Sequence, residues 1–186
     1  MPAPIRVELL PYSSSWKVAA EEAIARLFRA LPDSIVGIHH IGSTAIPGIH
    51  AKPIIDLMPV VRNVNDLDQQ HPIFLQLGYS GWGEYGIPGR RFFTFDEPIT
   101  GRRLLQLHCF EVESHQIERH LACRDYLCGN PAKAEEYDRE KHRCRDLHPH
   151  DSHAYSDAKH EWIAAQLPDA LAYFRLAKSV DGLQVK

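Results

Sequence analysis

No apolar run in the sequence approaches the roughly 20 residues that a membrane-spanning helix needs, so a soluble protein with no membrane partner is expected. Cysteine is scarce. Cys109, Cys123, Cys128 and Cys144 form no Cys-x-x-Cys pair and follow no secretory leader, which argues against a disulfide-stapled scaffold and for reduced thiols in a cytoplasm. Cys123 and Cys128, five apart on an expected helix, read as core or surface thiols rather than ligands. Neither sign of charge dominates: 21 Lys and Arg face 24 Asp and Glu, for a net charge of -3. That leaves no global basic field to hold nucleic acid by counterion release, and nucleic acid is not an expected partner. Internal repeats and low-complexity tracts are also missing. The remainder is ordinary globular composition, 44% hydrophobic and 24% charged over 186 residues, long enough to bury a core in one domain.

Periodicity supplies an element order. Residues 5–10 alternate like a short strand or extended arm, and Ser13–Ser15 offer an N-cap for a helix over about 14–30. Its expected inner face is Trp16, Ala20, Ala23, Ile24, Leu27 and Phe28, with Pro32 behind its end. Strands are expected over 34–41 and 54–61, a helix over 66–77, and further strands over 78–83, 91–96 and 103–111. From Ser114 the pattern turns helical, with helices at about 114–128, 131–147 and 153–176, Pro131 opening the second. Strands first and helices later predict an α+β fold: a mixed sheet flanked by helices, sheet-rich over about 1–112 and helical over about 113–176.

The most informative stretch is His40-Ile41-Gly42-Ser43-Thr44-Ala45-Ile46-Pro47-Gly48, followed by Lys52-Pro53-Ile54-Ile55-Asp56-Leu57-Met58. A Gly-Ser turn lets backbone approach a ligand and can cradle a phosphate. Thirteen residues after Ser43, one carboxylate sits inside an apolar strand, which is costly unless it is hydrogen-bonded, paired or holding a cation.

Together these motifs resemble the GrpB family, also called UPF0157, whose fold belongs to the nucleotidyltransferase superfamily. Further landmarks are Pro11-Tyr12 with Trp16, Gly89-Arg90-Arg91-Phe92-Phe93, Leu107-His108 with Glu111, the run from Arg119 to Leu127, and Tyr155 with Lys159. The resemblance implies that the Gly42-Ser43-Thr44 turn holds phosphate of ATP or another nucleotide while acids on the next strand hold magnesium. Such chemistry wants two or three protein oxygen ligands. The position two beyond Asp56, on the same strand face, is Met58.

His108 and Glu111 are the expected partners of Asp56: Asp56 and Glu111 as magnesium ligands, His108 as a base. The plainer alternative is a hydrogen-bonded core histidine and a surface acid. Gly42, Ser43, Thr44, Lys52, Arg91, His120, Arg124 and Lys159 are the candidates for binding a phosphorylated or anionic small molecule. Their plainer readings are a capped turn, a solvated loop lysine, an edge-strand salt bridge for Arg91, and surface charges on a helix for the rest. Of Arg90 and Arg91, alternation favours Arg91 as the inward one. Tyr137 with Lys141, and Tyr155 with Lys159, share a four-residue spacing that could line a cleft or cover core edges.

His142, His148, His150, His153 and His160 crowd nineteen residues together with Cys144, but their spacings match no common zinc motif. The expected function is binding of a nucleotide or phosphorylated small molecule, with magnesium-dependent nucleotidyl transfer as the reaction. The rivals are a degenerate site that binds a ligand or partner, and a metal-independent transferase or ligase.

Overall fold

The computed structural model describes residues 2–183. The chain divides into two compact units, one holding Ser13–Ala45 and Pro53–Ile117, the other holding Ala3–Tyr12, Ile46–Lys52 and the chain from Glu118 onward. The helical unit therefore takes in an N-terminal arm and a seven-residue loop that sequence order had grouped with the strands.

The first unit opens with α1 (Ser15–Ala30), whose Trp16, Ala20 and Leu27 are buried. Ser13, not Ser14, supplies the hydroxyl at its start, accepting from the Ser15 amide at 3.3 Å. Phe28, expected on the inner face, is 37% exposed because the buried stripe runs through Leu27.

The strands are β1 (Ile35–Ile41), β2 (Ile55–Val61), β3 (Tyr79–Gly81), β4 (Arg91–Asp96) and β5 (Arg103–Glu111), close to the expected spans. They form one sheet in the order β1-β2-β5-β4-β3. β2 and β5 run parallel and the other neighbours antiparallel, which makes the sheet mixed and the fold α+β. Leu57, Met58, Leu107, Cys109 and Phe110 on the two central strands are completely buried. Phe74 stacks on Phe93 with centroids 4.0 Å apart, sealing one flank.

The single helix expected over 66–77 is two, α2 (Val64–Gln69) and α3 (His71–Gln76). Pro72 sits in the first turn of α3, where its missing N–H costs nothing, and Gln70 between the helices leaves the helical region at φ -91, ψ 6.

The second unit is built on α4 (His115–Gly129), which begins in the first unit, α5 (Pro131–Leu147) and α6 (Ser152–Leu183). α6 runs past the expected end at 176 and contains Pro168. One core gathers Ile46, Ile49, Leu127, Ala134 and Tyr137, with Trp162 stacked on Tyr137 at 5.0 Å. Another joins Val7, Cys144 and Tyr155. The expected strand over 5–10 is instead an arm that makes one bridge, Leu10 with Ala51. It is pinned by Val7 N–H to the Pro149 carbonyl at 2.9 Å and by Ser152 N–H to the Ile5 carbonyl at 3.1 Å.

No helix among the described residues is long and apolar enough to cross a membrane. None of the four cysteines is in a disulfide. Cys109 and Cys144 are buried, and burial pushes the Cys109 thiol far above its usual range, whereas Cys128 is exposed. Alkylation of the native protein followed by mass spectrometry should modify Cys128 first and leave Cys109 and Cys144 unmodified until denaturant is added.

Candidate functional site

The first unit brings the Gly42 turn against Asp56. Ile41, the last residue of β1, is the register partner of Asp56 on β2, so the chain turns away directly beside the carboxylate. Gly42 has φ +71, and a β-carbon there would stand 2.5 Å from Asp56 Oδ2. Only glycine lets the backbone come this close while adopting a left-handed conformation. The Asp56 side chain is 26% exposed, so its oxygens reach water.

The three turn residues divide by role. Gly42 is exposed and Ser43 half-buried, while Thr44 is buried. The Thr44 hydroxyl lies 2.9 Å from His40 Nε2 and donates at 3.5 Å to the Ile54 carbonyl. Thr44 therefore fastens the turn between β1 and β2, leaving Gly42 and Ser43 as its solvent-facing part.

His108 meets Asp56 as expected, with Nε2 3.5 Å from Oδ1. The parallel register explains why: Asp56 pairs with Gln106, and His108 lies two residues on, on the same face. Sequence reasoning missed the group behind it. Arg90, 5% exposed, places Nη1 3.2 Å from His108 Nδ1 and donates from Nε to the Glu84 carbonyl at 3.1 Å. It also donates to the Tyr85 carbonyl and lies near two mutually stacked rings, 4.9 Å from the centroid of Phe92 and 5.5 Å from that of Tyr85. Burial lowers its pKa to about 10, so it stays cationic at neutral pH. A guanidinium can only donate, so His108 Nδ1 accepts and the ring proton is assigned to Nε2, facing Asp56. Arginine, imidazole and carboxylate thus form one chain of polar contacts. Met58, at the position of the second acid, is completely buried and presents nothing to a ligand.

Two expectations are corrected. Glu111 does not join Asp56: its register partner is Val61, five residues along β2, about 16 Å away at the usual strand rise. There its carboxylate accepts from the Val64 amide at 3.3 Å, at the first turn of α2. Arg91 is not the inward arginine. Its fork closes on Asp68, Nε to Oδ1 at 2.7 Å and Nη2 to Oδ2 at 2.8 Å. The hydrogen bond from Arg91 holds the Asp68 carboxyl below its usual range, and the same bond raises the arginine. Alternation failed here because Arg90 precedes β4 and turns inward from the loop.

A cleft of about 580 Å3 lies on the opposite face of the sheet, where Ile55 and Leu105 meet Trp16, Ala23 and Arg26 of α1. Ile55 alternates with Asp56 along β2, so this cleft does not contain the carboxylate.

Lys52, His120, Arg124 and Lys159 belong to the second unit. Lys52 and Lys159 both approach the ring of Tyr155, at 5.4 and 4.5 Å. Arg124 is paired with its neighbour Asp125 at 2.7 Å. Of the clustered histidines, His142 lies near Asp138, its Nε2 3.9 Å from Oδ2, and Asp138 also binds His50. Lys141, noted in the sequence only for its spacing from Tyr137, is completely buried and donates to the His50 carbonyl. Burial lowers its pKa to about 8, against the opposing pull of Asp138 at 3.0 Å.

The family model described as GrpB protein matches residues 6–168. The chain belongs to the GrpB family. This GrpB protein is 38% identical over 158 residues to UPF0157 protein YqkA of Bacillus subtilis, covering 85% of its own length but 45% of YqkA. It spans less than half of that relative. The crystal structure of conserved protein GrpB from Enterococcus faecalis superposes with a TM-score of 0.83 at 33% identity, covering 90% of this chain and 99% of that one. A structure of the Cid1 poly(U) polymerase overlaps 71% of this chain and 45% of its own at a TM-score of 0.48 and 15% identity, a looser match that decides nothing about chemistry.

Gly42→Ala should lower stability by about 1–2 kcal/mol through its left-handed backbone alone, with more lost to the Asp56 clash. Gly48→Ala, also at positive φ but opening into free space, is the control for strain, and urea unfolding of both variants separates the two effects. Long-range nitrogen–proton NMR spectra should show His108 protonated at Nε2 in the wild type and a mixture of tautomers in Arg90→Gln. A wild-type His108 protonated at Nδ1 contradicts the assignment.

Proposed function

We propose that this GrpB protein binds the phosphate end of a nucleotide, or of another small phosphorylated molecule, at the Gly42–Ser43 turn, with Asp56 facing a magnesium ion that accompanies those phosphates. One observation carries the reading: the turn's backbone lies against a partly exposed carboxylate, at a spacing that a single β-carbon would fill. Magnesium typically takes one or two protein carboxylates and completes its six positions with water and substrate phosphates. Asp56 suits that role as a hard oxygen donor, and magnesium held there would neutralise phosphate charge. His108, with Nδ1 occupied by Arg90, suits orienting Asp56 better than abstracting a proton.

Nucleotidyl transfer to a small acceptor is the reaction implied by the family resemblance. Two-metal transfer needs a further acid, and the strand position that would supply it holds buried Met58. That observation favours a second reading, in which the same site binds its ligand without turnover.

Calorimetric titration of ATP with magnesium into wild type and Asp56→Asn tests the proposal. The expected outcome is magnesium-dependent heat in the wild type and affinity weaker by at least about tenfold in the variant. Equal, undetectable heats in both would remove the proposal. If binding is present, release of pyrophosphate separates transfer from binding alone.

A further inference from the structure

We infer that His50, Asp138 and His142 of the second unit form a binding site for a divalent transition-metal ion of the zinc class, separate from Asp56. One ligating atom from each residue lies within 4.8 Å of the others. Asp138 and His142 are four residues apart on α5 and so share a helical face, and His50 comes from the 46–52 segment of the same unit. His50 Nδ1 stands 2.9 Å from Asp138 Oδ2 and His142 Nε2 3.9 Å from the same oxygen. The two imidazoles meet edge to face, with centroids 4.7 Å apart.

Four-coordinate zinc with ligands about 2.0–2.2 Å away holds neighbouring donor atoms about 3.4 Å apart. The Asp138–His142 edge must therefore contract and the His50–Asp138 edge widen, each by roughly half an ångström, while the imidazole nitrogens, within 4.8 Å of each other, close in by up to about 1.4 Å through side-chain rotation. Room for it exists, since the His50 and His142 side chains are 38% and 32% exposed.

Hydrogen bonds frame these ligands. The His50 amide donates to Asp138 Oδ1 at 2.8 Å, and the buried Lys141 ammonium holds both the His50 carbonyl and, at 3.0 Å, Asp138 Oδ1. These bonds clamp the loop to α5 through one carboxylate oxygen, while the other faces both imidazoles. Such outer contacts orient metal ligands. If His50 binds through Nδ1, the proton it now shares with Asp138 moves to Nε2. Two imidazole nitrogens select zinc, cobalt, nickel or copper over magnesium. Three protein ligands leave one position to water.

The test uses the full chain stripped with chelator, titrated with zinc by competition against a chromophoric chelator, and with cobalt followed by its visible spectrum. The chain has 12 histidines, so scattered surface binding must be separated from this site. The expected result is one tight equivalent of zinc, weakened by at least about tenfold in His142→Ala and in His50→Ala, with loss of the cobalt bands. The double control His148→Ala/His153→Ala and Asp56→Asn should retain wild-type affinity, which keeps this result independent of the magnesium reading. Circular dichroism of His142→Ala, a part-exposed position, checks that the fold survives. Wild-type affinity in both single variants, equal loss in the double control, or no zinc bound by the wild type overturns the inference.

Discussion

The parallel pairing of β2 with β5 is the constraint on which the first unit depends. Hydrogen bonds between these central strands fix Asp56 opposite Gln106 and Val61 opposite Glu111. A slip of one residue would send every side chain of a strand to the other face. The register therefore decides that an imidazole, and not a second carboxylate, meets Asp56. Met58, two residues beyond Asp56 on the same face of β2, is completely buried where that face enters packed core.

The buried arginine gives this arrangement its direction. A guanidinium removed from water needs its donors satisfied, and Arg90 finds backbone carbonyls, two nearby aromatic rings and one imidazole nitrogen. Its hydrogen bond to Nδ1 turns the His108 Nε2 edge toward Asp56, whose side chain stays 26% exposed. Tyr85, in the loop that supplies these carbonyls, has φ +44, a conformation rare for a residue with a β-carbon. The loop bends around the arginine, so it is shaped by the charge that it encloses.

Much of the fold was legible because strand alternation and helix spacing follow directly from which faces are buried. All five strands and the three C-terminal helices stand within a few residues of their expected spans, apart from the later end of α6. The break at Gln70 was readable in principle from Pro72. In the site, Gly42, Asp56 and His108 were legible, since a glycine turn and a lone acid in an apolar strand are local signals. Glu111 and Arg90 were not. Placing Glu111 required the offset between two strands fifty residues apart in sequence, and placing Arg90 required the path of a loop, where alternation gives no guidance. The contact between His50 and Asp138 spans 88 residues, and nothing local in the sequence points to it.

The second unit is discontinuous in sequence, and that shapes how it is assembled. Ile5 and Ser152 hydrogen-bond across a separation of 147 residues. On a ribosome adding residues at common rates, the arm would emerge roughly 7 to 30 s before its partner is made. The entropic cost of closing so long a loop grows only logarithmically with its length, so delay rather than free energy is the main consequence. During that interval the sheet can form from contiguous chain, while Val7 and Leu9 wait exposed to solvent and to chaperones.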